Sequence, residues 1–182
     1  MRGDIKEQLR NVSLNNLSTR LISFLAMFTA FVAVGTYLHI PGPSSSYFNL
    51  GEVAIYIIAL VFGSKAGGIS GALGSALMDI FLGYSLWAPF TFVIKGLEGY
   101  FVGKIAKEGD LKSNILAIII GGNIMVIGYA ITKGFLISWP AVIPEIGIDY
   151  AQMIIGGLVA LPLSRQINNL LSWQNILILL YF

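Results

Sequence analysis

Six stretches of this chain, 20–40, 48–63, 66–83, 88–105, 113–134 and 147–164, are dominated by apolar residues and separated by turn-formers or charges. Crossing the hydrocarbon core of a bilayer takes roughly 20 such residues in a helix, fewer where the bilayer thins. Composition agrees. Of the 182 residues 56% are hydrophobic and 11% charged, where a soluble domain carries about a quarter charged. The mean hydropathy is +0.80. The expected fold is an all-α integral membrane bundle of about six transmembrane helices. Five is the alternative, because Gly63-Ser64-Lys65 separates its neighbours only weakly.

The separators are otherwise clear. Pro41 to Ser46 and Gly83 to Pro89 are turn-rich, and Pro89 suits a first helical turn. Glu108-Gly109-Asp110 breaks the next pair, and Trp139-Pro140 with Pro144 marks the last long loop. The first apolar run exceeds a signal-peptide h-region and is followed by Pro41-Gly42-Pro43 instead of a small-residue cleavage site, so it is expected to stay as a helix. Three segments follow: 1–19, a cytoplasmic N-terminal segment; 20–164, a six-helix transmembrane domain; and 165–182, a cytoplasmic or interfacial tail. Trp173 in that tail suits an interfacial anchor.

Charge placement sets the expected orientation. With a cytoplasmic N-terminus, one side of six spans receives Arg2, Lys6, Arg10, Arg20, Lys65, Lys104, Lys107, Lys112 and Arg165, and the other only Lys133. The positive-inside rule then puts both termini in the cytoplasm. The net charge of +2 gives no reason to expect a nucleic-acid partner. Without cysteine, and with His39 as the single histidine, no disulfide, thiolate chemistry or metal site is expected.

Small residues mark close helix contacts. Gly63, Gly67, Gly71 and Ser75 recur every four residues and continue through Asp79 to Gly83, drawing one ridge almost free of side chains. Such rows serve backbone approach between helices in lipid. Gly96, Gly99 and Gly103 form a similar stripe, and Ala26 and Ala30 a shorter one in the first span.

Ionisable residues within the spans carry the most information, since each is costly unless it meets a partner or water. Thr91, Lys95 and Glu98 share a helical face, and Asp79 reaches a similar depth on the preceding span. A buried Asp79–Lys95 ion pair is therefore expected. These charges either lock helix register or line a water-filled cavity, and three ionisable groups with one net negative charge favour the cavity. Asn123, Tyr129, Asp149 and Gln152 collect toward the same end, with Lys133 and Gly156 near them. Trp87 and Trp139 fit an interfacial belt better than ligand stacking. Asn49 with Glu52 fits a helix N-cap and its reciprocal glutamate, although Glu52 opens outward and remains a ligand candidate.

Catalytic motifs are missing. Gly99 to Lys104 falls one residue short of a P-loop and lacks its Ser/Thr, and no HExxH or GxSxG occurs. No catalytic residue and no cofactor is expected, and ATP hydrolysis is not expected of this chain.

Taken together, Phe48-Asn49-Leu50-Gly51-Glu52, Phe62-Gly63, the run Gly67-Gly68-Ile69-Ser70-Gly71-Ala72-Leu73-Gly74-Ser75, Asp79, Pro89-Phe90-Thr91-Phe92, Lys95-Gly96-Leu97-Glu98-Gly99 and Gly103 resemble the S component of an energy-coupling factor (ECF) vitamin transporter. The likeness spans most of 18–165 and is strongest to the riboflavin-type branch. It implies a six-helix bundle in the plasma membrane of a bacterial-type cell that captures a water-soluble vitamin or precursor from outside. It further implies partnership with a membrane T component and two cytoplasmic ATPases. The His39–Gly51 loop would close over a pocket drawing on Glu52, Thr91, Lys95, Glu98, Asn123, Tyr129, Asp149 and Gln152. Ala26 and Ala30 match the pattern by which the family's first helix meets the T component. The competing reading is a structural or assembly membrane protein whose charges serve only packing.

Overall fold

The computed structural model describes residues 5–10, 18–42 and 47–181, with side chains from Lys6 as far as Ser172. Its helices are α1 (Ile5–Arg10), α2 (Thr19–Tyr37), α3 (Gly51–Phe62), α4 (Ser64–Phe81), α5 (Ala88–Ile105), α6 (Leu111–Leu136) and α7 (Val142–Tyr181). A short hairpin joins α2 to α3: β1 (His39–Pro41) pairs antiparallel with β2 (Tyr47–Asn49), His39 opposite Asn49. The chain is thus an all-α membrane protein capped by one small hairpin.

Three described helical segments are long and apolar enough to cross a membrane unaided: Thr19–Tyr37, Leu111–Leu136 and Trp139–Ser172. The other three long helices fall short for physical reasons. Helix α3 has 12 residues, about 18 Å at 1.5 Å per residue, against a hydrocarbon core near 30 Å. It tolerates that length because nearly every residue from Gly51 to Val61 is buried by protein. Helices α4 and α5 trade apolar bulk for glycine and for the charges Asp79, Lys95 and Glu98.

Boundaries follow local chemistry. Gly63 alone separates α3 from α4, at φ +88°, a conformation that favours glycine. Asp110 caps α6 by accepting from the Lys112 and Ser113 amides at 3.0 and 3.2 Å. Pro89 occupies the first turn of α5. The expected sixth span, 147–164, is corrected to a longer helix. A 3-10 turn at Trp139–Ala141 leads into α7 at Val142, so Pro144 sits in a first turn whose amides have no helical acceptor anyway. The 165–182 tail continues α7 as helix through Tyr181, and the anchoring role expected of Trp173 lies outside the described side chains.

Packing is tightest between α4 and α5. A Cβ on Gly99 would lie 2.4 Å from the Gly67 carbonyl oxygen, and one on Gly67 would meet the Ala59 Cβ at 2.6 Å. Gly71 abuts the Lys95 carbonyl in the same way, while Gly63 faces Arg10 and Ser75 turns toward the hairpin end. The apolar core lies on both sides of α3, including Leu25, Phe28, Val32, Ile55, Ile58 and Val102. At the end away from the hairpin, Lys6 of α1 pairs with Glu108 and bonds Asn168, both at 2.7 Å.

Candidate functional site

At the hairpin end, five helices and the hairpin surround a cleft of about 490 Å³ measured to its open mouth. Only about 40 Å³ of that admits the centre of a water molecule. Thr36 comes from the end of α2, Tyr47 and Asn49 from β2, Ser75 and Asp79 from α4, and Tyr84 and Trp87 from the loop that follows. Helix α5 adds Thr91 and Lys95, α6 adds Tyr129, and α7 adds Glu145, Asp149 and Gln152 at one-turn spacing.

Lys95 organises the floor. Its buried ammonium bonds Glu52 in the first turn of α3 and Glu98 Oε2 at 3.1 Å. Met125 Sδ lies at 2.8 Å and the Tyr129 ring centroid at 5.5 Å. Glu98 Oε1 accepts in turn from the Tyr56 hydroxyl at 2.8 Å. Glu52 and Tyr56 reach this position because α7 presents Gly156 to them; a Cβ there would lie 2.7 Å from the Glu52 Cβ.

The expected Asp79–Lys95 pair does not form. Asp79 instead accepts from the Tyr47 hydroxyl at 2.5 Å. The reason is the insertion of α3, which brings Glu52 to Lys95, so that two carboxylates already satisfy the ammonium. Asp79, near the end of α4, meets the hairpin. Burial, reinforced by the Asp79 charge, holds the Tyr47 phenol well above its ordinary pKa, so it stays a donor.

The hairpin is tied down on its other side by α7. Gln152 Oε1 accepts from both the amide and the side-chain Nδ2 of Asn49 at 2.6 Å, and Gln152 Nε2 donates to Asp149 at 3.4 Å. Asn49 Oδ1 takes the Gly51 amide at 2.8 Å in a local turn, but the N-cap of α3 is Leu50, without a side-chain cap, and Glu52 belongs to Lys95, so the expected Asn49–Glu52 capping pair does not form.

Of the residues expected at a pocket, Thr91, Lys95, Tyr129, Asp149 and Gln152 come together in the wall, with Tyr129 donating to Thr91 at 3.2 Å. Glu52 and Glu98 lie beneath the wall as partners of Lys95. Asn123 is not part of it: its Nδ2 returns to the Ile119 carbonyl, and its Oδ1 accepts from Tyr150 on the outer surface of the α6–α7 pair. Periodicity shows that a polar residue lies mid-helix, not which way the helix is rotated.

Sequence does not single out Tyr47, Tyr84 or Glu145 as wall residues, and it favours an interfacial belt for Trp87, which the structure places in the wall. The Tyr47 and Tyr84 rings pack at a tilt of 37° with centroids 5.2 Å apart. Trp87 lines the cleft with Lys133 Nζ 5.7 Å from its ring, whereas Trp139 is exposed. Glu145 pairs with buried Lys133 at 2.5 Å. A signal for it existed: it is the lone charge between Lys133 and Asp149, and it stands four residues before Asp149 on the same helical face.

The described lining of the cleft is chiefly polar and aromatic. A family model for the S component of ECF-type riboflavin transporters matches residues 16–169. The chain belongs to that family. Its members are membrane transport components of vitamin uptake, not enzymes. The S component is 28% identical over 158 residues to the thiamine precursor transporter HmpT of Lactococcus lactis subsp. cremoris, covering 85% of this chain and 92% of that protein. It is 39% identical over 148 residues to an uncharacterized protein in the gap 3'region of Pyrococcus woesei, covering 78% of this chain and 99% of the relative.

Proposed function

We propose that this S component is the substrate-binding subunit of an ATP-driven importer of a water-soluble vitamin or vitamin precursor. It captures its solute from the outer side and delivers it inward together with a T component and two cytoplasmic ATPases. The observation that carries this reading is the cleft itself, where buried polar and aromatic side chains from every long helix except α3 converge under a hairpin. Helix packing alone gives no reason to gather them at one end. The relative from Lactococcus lactis is named a thiamine precursor transporter, which supports a solute of the vitamin-precursor class.

In this reading α2 to α7 make six crossings, with both termini on the cytoplasmic side and the hairpin outside, in the plasma membrane. Helix α3 crosses inside a protein sheath, so its short length meets little lipid. The water-sized free space calls for the Tyr47–Asp79 and Asn49–Gln152 ties to yield when a solute enters, and the hairpin is the element that moves. The assignment of Thr91, Lys95, Tyr129, Asp149 and Gln152 to solute contact follows the wall; Glu52 and Glu98 act through Lys95.

A thermal-shift screen of the detergent-purified chain against water-soluble vitamins and their precursors tests this. A ligand at 100 times its dissociation constant is expected to stabilise the fold by about 2.7 kcal/mol. A well-folded sample that responds to nothing in the panel would sink the reading in favour of a structural role.

The T component is proposed to dock on α2. Ala26 and Ala30 are exposed there, so the helix offers a shallow face for close approach. Replacing both with leucine is expected to abolish co-purification with the T component and uptake in cells, while leaving the ligand-induced thermal shift intact. Uptake by the double variant at the original rate would exclude this face.

A further inference from the structure

The outer surface of the α4–α5 pair carries a groove that shares no residue with the cleft. Its floor is Gly68, Ala72 and Gly96, where the two helices touch. A Cβ on Gly96 would lie 3.2 Å from the Ala72 Cβ, and one on Gly68 would lie 3.1 Å from the Gly96 carbonyl oxygen. Ile69, Val93 and Leu97 raise the sides, and Val93 and Leu97 are 56% and 44% exposed. From Tyr100 to Phe92, both of which line the groove, α5 rises about 12 Å. That is close to one leaflet of a hydrocarbon core about 30 Å thick.

The end of the groove away from the hairpin is basic. Lys65, in the first turn of α4, lines it, and Lys104, in the last turn of α5, holds its Nζ 5.4 Å from the centroid of the Tyr100 ring. The two lysines follow residues whose backbones touch: a Cβ on Gly103 would lie 2.4 Å from the Ser64 amide nitrogen. Lys104 is exposed and forms no ion pair among the described residues. The acids that follow it in the chain are engaged elsewhere, Glu108 with Lys6 and Arg10, and Asp110 with the first amides of α6. A neighbouring groove between α5 and α6 supplies the contrast. It shares Val93 and Leu97 but runs toward the hairpin end as far as Thr132, where Lys133 is buried against Glu145. Both grooves are apolar, and only the first opens on accessible ammonium groups.

We infer that the α4–α5 groove binds one anionic phospholipid, an acyl chain lying along the glycine floor and the phosphate held between Lys65 and Lys104. In the orientation proposed above, this lipid belongs to the cytoplasmic leaflet. Any lipid chain can cover the apolar furrow, so the lysines decide which headgroup stays. Basic pockets between transmembrane helices on the cytoplasmic side suit anionic headgroups in this way. A zwitterionic headgroup brings a cation of its own toward the same two ammonium groups and loses part of the attraction. Tyr100 marks the boundary between the two parts of the site, its ring beside the chain and its hydroxyl toward the headgroup level.

Native mass spectrometry of the full-length protein in detergent, titrated separately with dioleoyl phosphatidylglycerol and dioleoyl phosphatidylcholine, tests this. The first phosphatidylglycerol adduct is expected to form severalfold more tightly than the first phosphatidylcholine adduct. Lys65→Gln and Lys104→Gln are each expected to lower phosphatidylglycerol affinity by roughly fivefold, and the double variant to bring it to the phosphatidylcholine level. A control that removes the same charge outside the groove, Lys107→Gln with Lys112→Gln, is expected to leave the preference unchanged. Leu97→Trp, which fills the groove from an exposed position, is expected to weaken the first adduct of both lipids. Equal affinity for the two lipids in the wild type, or equal losses in the two double variants, would overturn the inference in favour of diffuse surface charge. Glycerol 1-phosphate binding as tightly as the phospholipid would overturn the role of the acyl chain. Dimers that dissociate in Leu97→Trp would give the groove to a second copy of the chain instead of a lipid.

Discussion

Replacing Lys95 with methionine is expected to destabilise the protein by roughly 3–5 kcal/mol, read as a fall in thermal stability in detergent. Methionine matches the volume of lysine but leaves Glu52 and Glu98 facing each other without the ammonium that both now touch. Uncompensated charge in a site this dry dominates every other consequence of the change. The sign reverses for the group as a whole. Combining Lys95→Met with Glu52→Gln and Glu98→Gln removes all three charges and is expected to recover most of the lost stability, because desolvation of a buried pair consumes much of its attraction. If the single variant melts with the wild type, Lys95 is not buried among these carboxylates and the floor of the cleft is wrongly assigned.

Gly99→Leu is the second large effect. A Cβ at that position would sit 2.4 Å from the Gly67 carbonyl oxygen and 2.6 Å from its carbon, both backbone atoms that have no rotamer to yield. Helices α4 and α5 must separate, and the loss is expected at or above the upper end of the roughly 1–3 kcal/mol typical of overpacking. Gly147→Ala provides the contrast. It lies within α7 with nothing near its added Cβ and with an ordinary φ, so it is expected to gain about 0.5–1 kcal/mol from helix propensity. Comparable melting temperatures for the two variants would refute glycine-on-glycine packing between α4 and α5.

The two effects mark different depths of legibility. Gly67 and Gly99 are visible as members of small-residue rows, since a row is a property of spacing along one helix. Which row meets which is invisible there. The partner of Lys95 is hidden for the same reason: depth and chain adjacency point to Asp79, while Glu52 lies on a helix whose burial a window of hydropathy does not report. The short α3 is apolar on all sides because protein encloses it, and a lipid-facing helix reads identically. Asn123 and Glu145 show the converse. A polar residue at the right depth points away when its helix is rotated, and Glu145, in a stretch whose prolines read as loop, lies inside because Pro144 sits in a first helical turn.

The solvent, the helical class and the end at which polarity collects are all readable from the amino-acid order. Each of these depends only on composition and on spacing within a single helix, and hydrocarbon enforces them one segment at a time. The rotations of the helices about their axes come from packing, and with them the Lys95–Glu52–Glu98 cluster and the tie of Tyr47 to Asp79. Those outcomes are set by contacts between helices distant in sequence, where a quarter-turn of one cylinder changes every partner and leaves its hydropathy unchanged.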